Sequence, residues 1–182
     1  MKKTVLALSI IISSLSASAI ARDGAYVSGA YSMMYHDSIF NSNNEVKDGY
    51  AVAAGYDFAF GSFFSLGTEF EYKNLGATTE SIGSDSIKVA MSSMGVNLVP
   101  KVYLGDNFNL LAKLGYHKID ADVTTTFTSP SPSAKASDNA TLIGLGLGYD
   151  FNSHLALQST YEIHNISGYN TASANVGIKF SF

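Results

Sequence analysis

Five carboxylates and three lysines stand inside otherwise apolar stretches: Asp57, Glu69, Glu71, Asp150 and Glu162 against Lys101, Lys113 and Lys179. Charges so placed must pair, because a buried unpaired charge is costly. Two chemistries follow. One is a fixed ion-pair plug; the other is a gate whose pairs exchange partners and pass ions. His36, His117, His154 and His164 are scattered, with no pair at ligand spacing, and there is no cysteine, so no metal site is expected. Gly144, Gly146 and Gly148 form G-x-G-x-G with no basic residue or helix start after them. They are read as room for long side chains from neighbouring strands, not as a nucleotide loop. A Ser/His/acid relay needs a third group to orient the base. No acid follows Glu162, and no enzyme or cofactor is expected.

The elements that position these charges are strands. Successive side chains of a strand point to opposite faces. Tyr50, Val52, Ala54, Tyr56 and Phe58 fall on one face, with Ala51, Ala53, Gly55 and Asp57 on the other. Phe64, Leu66, Thr68, Phe70 and Tyr72 alternate likewise with Ser65, Gly67, Glu69 and Glu71. The same division runs through Tyr26–His36, Phe108–Ile119, Thr141–Phe151, Leu155–Ile163 and Ala172–Phe182. Ser86–Leu104 carries a fault: Ile87, Val89 and Met91 are out of phase with Met94, Val96 and Leu98. A bulge near Ser92–Ser93 would reconcile them, and Pro100 should weaken pairing locally. That makes eight strands. The connections alternate long and short, the long ones being Asp37–Asp48, Asn74–Asp85, Asp120–Asn139 and Asn165–Thr171. The aromatic, apolar face suits lipid, and the face with the charges suits an enclosed interior. The expected fold is all-β, an eight-stranded antiparallel up-and-down transmembrane β-barrel.

Lys2, Lys3, an apolar run to Leu15 and A-x-A sites make residues 1–21 a secretory signal peptide, cleaved after Ala19 or Ala21. Residues 22–182 are then the barrel. Losing Lys2 and Lys3 takes the formal net charge from −4 to −6, with Arg22 the only arginine. An acidic chain without a basic stripe excludes nucleic acid as a partner.

Lys113-Leu114-Gly115-Tyr116, Gly144 to Tyr149, Tyr161-Glu162 and the closing Asn175 to Phe182 resemble the small eight-stranded outer-membrane proteins. These are the OmpX/Ail-type and opacity-type barrels and the transmembrane domain of OmpA. The resemblance implies a monomer in the cell outer membrane, in contact with its lipid and lipopolysaccharide. It also implies that Val176, Ile178, Phe180 and Phe182 form the signal read by the outer-membrane assembly machinery. Stopping at Phe182, the chain is not expected to carry the peptidoglycan-binding domain that follows the OmpA barrel. Lipid A deacylases of this architecture carry His-x-Ser-Asn near the end of strand seven and a glutamate on strand eight. Here the run is His164-Asn165-Ile166-Ser167, which is misspaced. The expected function is structural or surface-interactive: membrane integrity, adhesion or host contact through a host-surface or matrix ligand. A narrow porin-like channel is the alternative, and a lipid-modifying enzyme comes third. The loops hold Asp37, Glu45, Asp48, Glu80, Asp85, Asp120, Asp122 and Asp138 against Lys47, Lys118 and Lys135. That acidic rim disfavours polyanionic ligands.

Overall fold

A computed structural model describes residues 23–36, 46–82, 85–126, 133–166 and 169–182. Its long strands are β1 (Gly24–His36), β2 (Gly49–Phe60), β3 (Phe64–Ile82), β4 (Asp85–Leu104), β5 (Phe108–Thr126), β6 (Ser133–Asp150), β7 (Leu155–Ile166) and β8 (Tyr169–Ser181). Each pairs antiparallel with the next. β8 returns to β1, from Tyr26↔Ser181 to His36↔Thr171. The sheet is a closed eight-stranded barrel, so its wall presents no open edge to lipid. The signal-peptide segment 1–21 lies outside the described residues.

The alternation read from the sequence sets the two faces. On β2, Asp57 is 1% exposed and its neighbour Phe58 44%. Among the described residues, buried polar and charged side chains outnumber buried apolar ones, the inverse of a water-soluble barrel. Leu98, Leu114, Ile143, Leu145, Val176, Ile178 and Phe180 all point outward. At one end the connections are tight turns. Gly61 (φ +76°) and Gly105 (φ +75°) supply left-handed positions in two of them. In the third, Asn152 Oδ1 accepts from the backbone N–H of His154 (2.8 Å) and Leu155 (2.9 Å). Aromatic pairs gather there, among them Phe60–Phe64, Phe108–Tyr149, Tyr149–Phe151 and Phe180–Phe182. They form the interfacial girdle such a wall needs.

The other end departs from expectation. Within the expected loop Asn74–Asp85, residues 74–82 belong to a strand, with rungs continuing to Ile82↔Asp85. The stretch Asp120–Asn139 is also mostly strand: β5 runs to Thr126 and pairs with β6 from Thr124↔Ser133. In the last expected long connection the β7–β8 ladder continues to Ile166↔Tyr169. In the first, residues 37–45 lie outside the described residues, and Val46–Lys47 pairs with Ala77–Thr78 on the edge of β3. The bulge is displaced as well. β4 runs unbroken against β5 through Ser92↔Asp120 and Ser93↔Ile119. The extra residue lies on β3, between Asn74↔Ser92 and Ala77↔Ala90, where Gly76 has φ +81°. Met91 therefore stays on the interior face, packed against a small apolar cluster of Met34, Leu75, Ile119 and Ala140. Pro100 behaves as its missing donor dictates: rungs Leu98↔Leu114 and Lys101↔Leu111 flank a gap in the β4–β5 ladder.

Candidate functional site

Inward positions on six strands bring charged residues together in two clusters. Near the tight turns, the Asp57 carboxylate accepts from Lys101 Nζ at 2.7 Å through both oxygens, and from Lys179 Nζ. The Tyr26 ring lies under both ammoniums, 5.0 Å from Lys101 and 4.3 Å from Lys179. Such contacts favour a cation over a ring face. Tyr26 also donates its hydroxyl to Glu69 at 2.9 Å, linking the first cluster to the second.

The second cluster occupies the middle of the barrel. Lys113 Nζ contacts Glu69 (2.7 Å), Glu71 and Glu162 (3.4 Å). Lys73 Nζ donates to Glu162 and lies 3.9 Å from Glu71. Neutral donors reach two of the carboxylates, Thr160 to Glu162 at 2.8 Å and Asn97 to Glu69 at 3.0 Å, while Glu71 Oε1 accepts no hydrogen bond. The buried charges are thus both paired and hydrogen-bonded, the condition under which the interior tolerates them. Asp150 is buried lower on β6. Between the charged groups lies a cavity of about 50 Å³, bounded by Tyr26, Glu71, Lys101, Lys113, Glu162 and Asn175 among others. That is space for a few waters.

The sequence placed Asp57, Glu69, Glu71, Lys101, Lys113, Asp150, Glu162 and Lys179 inside, and all are buried. Glu162 on the preceding strand is the sequence-nearest inward acid to Lys179, yet Lys179 pairs with Asp57 instead. Lys179 is opposite Ser28, and Ser28 opposite Ala53; Asp57 stands four residues on along the same face. Lys73 was missed. Its parity with Glu69 and Glu71 was the available signal, but it falls where the strand was taken to end. The glycines make room as read. A Cβ on Gly144 would come 2.8 Å from Glu162 Cγ, and one on Gly148 would come 2.4 Å from Asn109 Oδ1.

Beyond the ions, Ser93, His117 and Asn97 form a hydrogen-bonded row, with Oγ to Nδ1 at 2.7 Å and Nε2 to Oδ1 at 2.8 Å. Its composition is that of a nucleophile, a base and an orienting amide. Yet Ser93 is 1% exposed, so in this state the row can only position its members. Among the described residues, no group of three or more His, Asp or Glu side chains is arranged to hold a metal ion.

At the long-connection end the ladders carry exposed polar residues. Lys118 and Lys135 lie 3.3 and 3.2 Å from Asp120 and Asp122. The Ser137 hydroxyl, with Lys118, holds the Asp120 carboxyl below its usual range. Of the acidic rim residues, Asp37 and Glu45 lie outside the described residues. Val176, Ile178, Phe180 and Phe182 are all exposed on the outer wall, Phe182 the most at 72%.

The outer membrane protein beta-barrel domain family matches residues 4–182. No curated protein sequence matches the chain. Among solved structures, Ail of Yersinia pestis in complex with the heparin analogue sucrose octasulfate is similar at TM-score 0.60 and 17% identity, covering 88% of this chain and 97% of Ail. The N-terminal β-barrel domain of Pseudomonas aeruginosa OprF gives TM-score 0.56 and 12% identity, over 88% of this chain and 100% of that domain. Neisserial surface protein A gives 0.54 and 10%, over 88% and 97%. At such identities the likeness is one of fold.

Proposed function

Since the chain belongs to the outer-membrane β-barrel family, we propose that this outer-membrane barrel is a closed anchor presenting a rigid sheet at the cell surface for adhesion or host contact. The observation that carries this reading is the continuation of four strands beyond the barrel rim. β5 runs seven residues past Ile119, from Asp120 to Thr126, paired with β4 throughout and with β6 as far as Thr124. At about 3.3 Å per residue that is roughly 20 Å of ordered sheet. Lipid needs no such length, and a sheet costs chain entropy to hold in water. The interior supports the same reading. Its ion pairs cross-link the strands around a small central cavity, which suits an anchor better than a porin-like channel.

Export follows from residues 1–21 acting as a cleaved signal peptide, and insertion from Val176, Ile178, Phe180 and Phe182 acting as the assembly signal. Ail was crystallised with a heparin analogue. The projecting sheet here carries Asp120, Asp122 and Asp138, so a polyanion is disfavoured and a neutral or basic matrix surface fits better. Cells making the full chain are expected to bind immobilised host matrix more than cells whose β5–β6 hairpin is cut back to the Asp120↔Ser137 rung. Equal binding, with both proteins folded in the membrane, would refute the surface role. A gain in detergent sensitivity on loss of the whole chain but not of the hairpin would move the function to membrane integrity.

A further inference from the structure

Two histidines meet at the outer end of the ion network, in unequal surroundings. His117 on β5 and His164 on β7 are both 0% exposed, with ring centroids 5.9 Å apart, edge to face. His117 is complete as a neutral ring. An amide oxygen only accepts, so the Nε2 that faces Asn97 Oδ1 carries the proton, and Nδ1 accepts from the Ser93 hydroxyl. Neither nitrogen of His164 has a partner. A proton entering this end has its free lone pair there.

The charged and titratable groups facing His164 are Glu162 on its own strand, Lys73 on β3, and His117 and Lys113 on β5. Its ladder neighbours, Leu142 on β6 and Thr171 on β8, carry no charge. Close to His117 along the barrel lies the apolar cluster of Met34, Leu75, Ile119 and Ala140, with Ile166 packed against it; Ala140 pairs with His117 and Ile166.

We propose that His164 is a proton-sensitive latch on the outer end of the barrel. With the ring neutral, Lys73 holds Glu162 and the apolar cluster closes the end. A proton taken from solvent by a ring nitrogen places a second cation beside Lys73, in competition for the same carboxylate. It also sets a charge needing hydration next to apolar side chains. Acid therefore loosens the outer rungs while the Asp57 cluster, far below, stays intact. Burial and the ammoniums of Lys73 and Lys113 oppose a further positive charge there, so the latch is set to respond in acid and not near neutral pH. The latch is independent of what the projecting sheet binds.

The test uses the full chain in lipid nanodiscs, from about pH 8 down to about pH 3, because a buried ring beside two ammoniums takes a proton only in acid. Ring nitrogen NMR follows His164, and hydrogen exchange compares rungs Leu142↔His164 and Ala140↔Ile166 with the deeper rung Leu147↔Ser159. On acidification His164 is expected to gain its proton. The protection of the outer rungs, relative to the deeper rung, is expected to fall at least about tenfold. His164→Gln removes that pH dependence. Should the variant fail to fold, the native protein decides alone. A His164 ring that stays neutral down to the acid limit, or one that protonates with no loss of relative protection, overturns the proposal.

Discussion

Replacing Asp57 with Asn removes the carboxylate that two buried ammoniums share. Lys101 and Lys179 both donate to it, and the three residues are 1%, 6% and 1% exposed for Lys101, Lys179 and Asp57. Asn keeps the shape and deletes the charge. Stranding a buried charge costs about 3 to 5 kcal/mol, roughly a hundred- to several-thousand-fold in the folding equilibrium. Glu162→Gln is the matched comparison. It should cost less, about 1 to 3 kcal/mol, because Lys113 keeps Glu69 and Glu71, and Lys73 still has Glu71 at 3.9 Å. Urea unfolding in lipid vesicles, read by the gel-mobility shift between folded and unfolded barrel, measures both. An Asp57→Asn loss below about 1 kcal/mol, or one smaller than that of Glu162→Gln, would refute the account of the ion network.

Tyr26→Phe deletes the hydroxyl donated to Glu69 but keeps the ring beside Lys101 and Lys179; the same titration should show a loss of about 1.5 to 3 kcal/mol. Gly49→Ala brings a Cβ within 1.9 Å of the Asn74 carbonyl oxygen, whereas Gly29→Ala meets nothing within 4 Å. The first should lose about 1 to 3 kcal/mol and the second stay within about 0.5 kcal/mol of the parent. Deleting Phe182 should lower the fraction of chains that reach the heat-modifiable form in cells, while purified chains refolded into vesicles keep their stability. An equal loss in both would place the residue in the fold and not in the assembly signal.

The wall of the barrel was legible because two solvents enforce it. Lipid selects Leu98, Leu114, Ile143 and Ile178 on one face, and the enclosed interior selects Glu69, Lys113 and Glu162 on the other. Above the rim both faces of the sheet meet water, so nothing enforces alternation. Asp120, Asp122, Lys135 and Ser137 then read as loop although they sit in ladders. The same loss of constraint put the bulge on the wrong strand. Ile87, Val89 and Met91 looked like a lipid-facing run out of register, while Met91 belongs to the interior cluster. Partner choice inside the barrel was illegible for another reason. Parity tells which way a side chain points, but the tilt of the strands and the reach of a lysine decide which carboxylate it meets. Lys179 illustrates this, as does Lys73, whose place at an apparent strand end concealed its role.

The most direct measurement is single-channel recording of the purified, folded chain in a planar bilayer at neutral pH. The barrel closed by Lys73, Lys113 and their three carboxylates should leave the bilayer at its baseline conductance. Sustained, reproducible conductance steps that disappear with Lys113→Met would contradict a closed anchor and make the chain a channel.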